Sequence, residues 1–218
     1  MTSVMAELRA AGSPQTRKTY CRHGVTGDQF GVKYGDLNPI AKRLGVDHEL
    51  AGELWATGNH DARILATKIE DPGRVTVTQA DGWLRECDNY VLMEAVAGVV
   101  AASSVAIGRS AAWRDRKGEW VAAAGWSIVA HRAADGFTDA ECRKLLTQIG
   151  TEIHDRPDRV RHEMNMVVIV IGMRSAALEG RARSVAAAYG DLDVDHGETS
   201  CVTADANDYL DRIAARRG

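Results

Sequence analysis

Apolar residues recur along this chain at helical spacing and almost nowhere at strand spacing. The stretch from Leu50 to Ile69, LAGELWATGNHDARILATKI, shows it best. Leu50, Leu54 and Trp55 stand at i, i+4 and i+5 and make one apolar stripe. Gly58, the residue type most easily left-handed, is a natural stop for that helix. Asn59 then caps a second helix, with His60 and Asp61 in its first turn and Ala62, Ile64, Leu65, Ala66 and Ile69 on its buried side. Two helices joined by a tight corner cannot bury their apolar faces alone, so further pairs must stack against them.

The rest of the chain supplies those pairs. Ser3 to Ala11 is amphipathic, with Val4, Met5 and Leu8 on one side. Ser13-Pro14 opens a second helix that ends at Gly24. GVTGDQFGVKYGDLNP reads as a glycine-rich loop that Val25, Phe30, Val32 and Tyr34 pin onto the core. A helix is expected from Asp36 to Gly45 with Pro39 in its first turn, and Asp47 caps the next. Asp71-Pro72-Gly73 is a turn, and Thr78 caps QADGWLREC. Asp88-Asn89 starts YVLMEAVAGVVAAS, apolar on most sides and therefore central. Shorter or longer helices follow around Val105 to Trp113, from Glu119, after the Thr138–Glu141 capping box, from Pro157, and from Ser175 to Tyr189. Gly125 and its small neighbours would let another helix approach closely, and Thr203 is expected to cap the last helix. Val75 to Val77 is too short to compete as a strand. About a dozen helices in about six antiparallel pairs predict an all-α helical-repeat solenoid, one domain over residues 1–218.

Composition narrows this only slightly. With 45% hydrophobic and 26% charged residues in 218, the chain is an ordinary globular one. A net charge of −3 gives no global attraction to nucleic acid or to an anionic membrane, so any basic surface must be local. The 4 cysteines are far apart and form no CxxC, which leaves no zinc spacing. The opening MTSVMAELRAAGSP has the pattern of neither a secretory signal nor an anchor. Met164 to Met173 is too short to span a bilayer, and a cytoplasmic protein that uses no membrane and no cofactor is expected.

Four groups of residues carry candidate chemistry. His60, Asp61 and Arg63 open a helix, where they either face a groove or set the corner between repeats. Tyr90 and Glu94 share a helix face, so an aromatic ring and a carboxylate stand together; such a pair could hold a cation, or be a half-buried Tyr and a solvated Glu behind an Asp88 cap. Arg109, Arg114, Arg116 and Lys117 form one basic set, and Arg156, Arg159 and Arg161 another. Both fall at helix ends, where side-chain cations and free N–H groups can grip phosphates; a solvated surface is the alternative. Asp193, Asp195, His196, Glu198 and Cys201 are ligand types in no metal spacing, and read as a turn before the last helix. No P-loop, GxGxxG, HExxH or GxSxG is present, and His131, His154 and His162 stand isolated, as structural histidines do.

FGVKYGDLNPIAKRLG, LAGELWATGNHDARILA, GWLRECDNY, MNMVVIVIG and VDHGETSCVTADANDYL together resemble the DNA alkylation repair family, the HEAT-like-repeat DNA glycosylases, over nearly the whole chain. The resemblance implies a HEAT-like solenoid that accepts duplex DNA and excises cationic N3- or N7-alkylated purines without flipping them out. In that family aromatic rings and one Asp contact the deoxyribose and stabilise an oxocarbenium-like transition state. The family's Trp and Asp stand here as Tyr90 and Glu94. Its Arg after a Trp has no counterpart after Trp120, where Val121, Ala122 and Ala123 follow, and its later Trp falls at Met166. Two functions therefore stay open: an alkylpurine DNA glycosylase with Tyr90 and Glu94 at the lesion, or a non-catalytic helical-repeat scaffold that binds DNA or a protein partner.

Overall fold

Apolar stripes lie along the inner sides of the helices, and many of the helices begin where a side chain receives the first free backbone N–H groups. The computed structural model describes residues 1–217. In order these form α1 (Thr2–Ala11), α2 (Pro14–Arg22), α3 (Tyr34–Leu44), α4 (His48–Ala56), α5 (His60–Ile69), α6 (Val77–Arg85), α7 (Tyr90–Ala101), α8 (Ala106–Arg114), α9 (Glu119–Arg132), α10 (Asp139–Glu152), α11 (Asp158–Gly172), α12 (Ala176–Tyr189) and α13 (Ala206–Arg217). Among the described residues there is no strand, and no helix is long and apolar enough to cross a membrane.

Ser13, Asp47, Asn59, Asn89, Thr138 and Ser175 cap α2, α4, α5, α7, α10 and α12 through their side chains. The expected Thr138–Glu141 capping box is complete. Three boundaries differ. Val77 is already helical, so the cap of α6 falls on Thr76, whose Oγ1 accepts from the Gln79 N–H at 3.1 Å, and not on Thr78. The Asp205 carboxylate takes the Asp208 N–H at 2.7 Å at the start of α13, because Thr203 is engaged by two histidines instead. The Lys33 carbonyl already accepts the Asp36 and Leu37 N–H groups, so α3 starts at Tyr34 and Pro39 lies inside it rather than in its first turn.

The chain packs as two compact units. The first comprises residues 1–105 with 197–199. There α4 packs on α5, α6 on α7, and α3 and α7 both lie against α5. Its centre is Leu37, Leu54, Ile64, Leu65, Ile69, Leu92 and Met93, and Trp55 stacks on Trp83 with ring centroids 4.3 Å apart. The second comprises, among the described residues, 106–196 with 200–217. In it α9 packs on α8 and α11, α10 on α12, and α11 on α12 and α13, around Trp126, Ile128, Leu146 and Ile149. Gly125 has the role expected of it: a Cβ there would lie 2.3 Å from the Arg114 amide nitrogen.

Candidate functional site

The first unit is organised by a buried carboxylate. Asp61, fully shielded from solvent at the start of α5, accepts the backbone N–H groups of Phe30, Gly31 and Val32 at 2.6, 3.0 and 2.8 Å. Asn59 adds a bond to Asp28 at 2.9 Å, and the His60 N–H donates to the Asp28 carbonyl at 2.8 Å. The glycine-rich loop is therefore fastened by the N-terminus of α5, and Val25 and Val32 beneath it are buried as expected. Tyr34 is not: it is 37% exposed and opens α3. His60 is buried edge-on to Tyr20, ring centroids 5.2 Å apart, and burial lowers its pKa. Arg63 sits over Trp55 at 5.0 Å and pairs with Glu86. Of the two readings of this trio, the corner-setting one holds for its geometry.

The loop in turn brings side chains of α2, α3, α5 and α7 together. His23, just past α2, hydrogen-bonds the Tyr90 hydroxyl through Nδ1, and the two rings lie 5.8 Å apart. Asn89, the cap of α7, fixes where Tyr90 begins its helix, through the Leu92 N–H at 3.0 Å. Tyr90, Val91, Glu94, Ala95 and Gly98 form a half-buried stripe on the otherwise buried α7. Protein displaces water around the Tyr34 hydroxyl although the residue as a whole is exposed, and this desolvation raises the phenol pKa, with Tyr20, Glu94, Asp61 and Tyr90 adding to it in that order. Lys68 of α5 covers the other side of Tyr34, with Nζ 5.3 Å from the ring centroid, and donates to Asn38 at 3.0 Å. Tyr90 is thus joined by His23, and Tyr34 by Lys68, two pairings that sequence reasoning missed. Of His23, Tyr34 and Lys68, the sequence reading singled out Tyr34, as an apolar pin of the glycine-rich loop and not as a helix residue.

In the second unit the basic residues divide. Arg116 and Lys117 are exposed beyond the end of α8; the Arg116 Nε donates to the Ala112 carbonyl at 3.3 Å. Arg114 and Arg109 are half-buried, Arg114 lying 5.9 Å from the Trp126 ring centroid. Arg156 donates to the Arg114 carbonyl at 2.7 Å, so it closes the C-terminus of α8. Arg159 is 6% exposed; its amide donates to Glu119 and its Nη2 contacts His196 Nδ1 at 3.4 Å. Arg161 pairs with Asp158.

His162 is not isolated. Its Nδ1 meets Thr203 Oγ1 at 3.0 Å, and His196 Nε2 meets the same oxygen at 2.9 Å. Asn165 donates to the Ala204 carbonyl at 2.9 Å and accepts from the Tyr189 hydroxyl at 2.7 Å. These contacts hold the segment before α13 against α11. Burial, Arg159 and His196 push the His162 pKa down to about 4. Among the described residues no three His, Cys, Asp or Glu side chains converge to hold a metal ion.

A family model described as "DNA alkylation repair enzyme" matches residues 4–182. Two relatives cover 96% of this chain and 95% of their own length: the uncharacterized protein Lin0241 of Listeria innocua, 29% identical, and the uncharacterized protein Lmo0209 of Listeria monocytogenes, 28% identical. A solved structure described as "a new family of proteins related to the HEAT-like repeat DNA glycosylases with affinity for branched DNA structures" is similar over 99% of this chain and 94% of that one, with a TM-score of 0.90 and 28% identity. The all-α, HEAT-like class expected from the sequence is therefore the class of this fold.

Proposed function

This chain belongs to the DNA alkylation repair enzyme family, and we propose that it works as a DNA-binding protein whose preferred ligand is branched DNA. One observation carries the reading: the likeness, over 99% of the chain, to a solved structure whose family is described as having affinity for branched DNA. Local chemistry agrees with it. Arg116 and Lys117 offer exposed cations next to the end of a helix, and Arg114 and Arg109 stand beside them. In this reading they contact phosphates, whereas Arg156, Arg159 and Arg161 serve mainly to shape the surface. The work is done where the DNA is, in the cytoplasm. The test is a titration of the purified protein against a synthetic four-way junction and against linear duplex of the same sequence. Tighter binding to the junction is expected, and equal or absent binding would sink the reading.

A second reading is supported by one further feature, a phenol ring and a carboxylate, Tyr90 and Glu94, half-buried one turn apart on α7. A purine alkylated at N3 or N7 is cationic. It would be drawn to an electron-rich ring and a carboxylate by cation–π and Coulomb attraction. Its N-glycosidic bond breaks with the electron pair leaving on the base, which becomes neutral, and positive charge passes to the deoxyribose. Glu94 would stabilise that charge until water adds at C1′ and loses a proton. E94Q is then expected to slow release of 7-methylguanine from alkylated duplex by about 10²-fold or more, with DNA affinity within about twofold. Absence of release by the parent protein overturns this reading and leaves the DNA-binding one standing.

A further inference from the structure

Helix α2 has two faces of opposite character. At about 100° per residue, Thr16 and Tyr20 fall on one side, and both are buried, at 7% and 8% exposure. His23, which follows the helix and touches Tyr90, continues that side. Pro14, Arg17, Lys18, Cys21 and Arg22 fall on the other, and all are exposed. That outer side lines a shallow, open cleft of about 690 Å³, which Glu198 also lines. Glu198 stands so near because Gly197 adopts φ +67°, and a Cβ there would meet the Arg22 carbonyl oxygen at 3.3 Å. Three cations from two turns of one helix therefore converge on a concavity that holds one carboxylate.

We propose that this cleft grips the phosphate backbone of a DNA strand, and that α2 acts as a wedge between that strand and the DNA facing Tyr90. The inference rests on the DNA-binding reading above. A helix with its side chains is about 10–12 Å across, so the basic face of α2 and the half-buried Tyr90, which His23 meets past the buried side of that helix, look onto separate stretches of backbone. A branch point supplies two such stretches; an unbent linear duplex laid along one face supplies one. Glu198 repels phosphate at the cleft and limits its affinity.

The experiment compares the full chain with R17A/K18A/R22A and with E198Q on an immobile four-way junction and on a linear duplex made from one of its arms. All four side chains to be changed are exposed, and the helical circular dichroism of each variant is recorded beside its affinity. The triple variant is expected to bind the junction at least about tenfold more weakly at 0.1 M salt. Its plot of log K against log salt is expected to be shallower by about 2–3. Duplex affinity should stay within about twofold of the parent's, and E198Q should tighten junction binding alone. Junction affinity within twofold of the parent's in the triple variant overturns the wedge, and so does an equal loss on both DNAs. Failure of the parent itself to bind any DNA overturns the DNA-binding reading along with it, which is a different outcome from either.

Discussion

Single residues here act through what they hold. The Asp61 carboxylate accepts three backbone N–H groups in a place without water, so its removal leaves those donors without partners. Hydrogen bonds to a charged group contribute about 1.5–3 kcal/mol each and do not simply add. D61A is therefore expected to cost about 3–5 kcal/mol in urea denaturation, a large part of a typical domain's stability. D61N keeps one acceptor oxygen and should lose about half of that. A loss below about 1 kcal/mol for D61A would show that the loop is held by other means. His162 works differently. Its folded pKa of about 4 lies below the ordinary 6.5, so between those values the unfolded chain takes up the proton first. Stability should thus fall as pH drops from 6.5 towards 4, by at most about 3 kcal/mol from this group. Facing it are Arg159, His196 and Thr203, and Asp158 and Asp195 act on His196, whose pKa is also lowered, first by burial and then by Arg159. H162Q should flatten the pH dependence of the melting temperature in that window, and an unchanged slope would assign the effect elsewhere.

Elements are placed by small residues as much as by large ones. Gly125 lets α9 touch the backbone of α8, since a Cβ there would come within 2.3 Å of the Arg114 nitrogen and 2.9 Å of the Trp113 carbonyl carbon. Neither atom belongs to a flexible side chain, so G125A must move one helix off the other, at an expected cost of about 1–3 kcal/mol. Gly180 in α12 is the matched control, because a methyl group there would have nothing within 4 Å of it. G180A should raise stability by about 0.5–1 kcal/mol, from helix propensity alone. A gain in both variants would mean that propensity and not packing decides at Gly125. The elements themselves were legible in the sequence because their signals are local. Asn59, Asp47, Ser175 and the Thr138–Glu141 box lie within one turn of the groups they cap. Thr76 was missed in favour of Thr78 because two residues of one type stood within reach of the same start.

At the scale of the molecule the limit lies in sequence separation. Tyr90 and Glu94 share a face by spacing alone, but His23 meets Tyr90 across 67 positions, and no periodicity records that. Likewise the Arg156 side chain reads as a surface cation in sequence and proves to bind carbonyls 40 and 42 residues away. The basic face of α2 was hidden for a related reason: Arg17, Lys18 and Arg22 gain meaning only from the cleft that Glu198, brought close by Gly197, lines with them. Charge was informative from the start, because a chain at −3 can hold DNA only through such local groupings. The two basic groupings should accordingly leave different marks on binding. Arg116 and Lys117 contact phosphates of any duplex in the proposed reading, so R116A/K117A should weaken duplex and junction alike. Each phosphate contact carries a salt slope of about 0.9, so the pair should reduce the slope by about 2 on both DNAs. The α2 variant should do so on the junction only. Titrations at four salt concentrations measure both slopes, and a double variant that spares duplex binding would remove Arg116 and Lys117 from the interface.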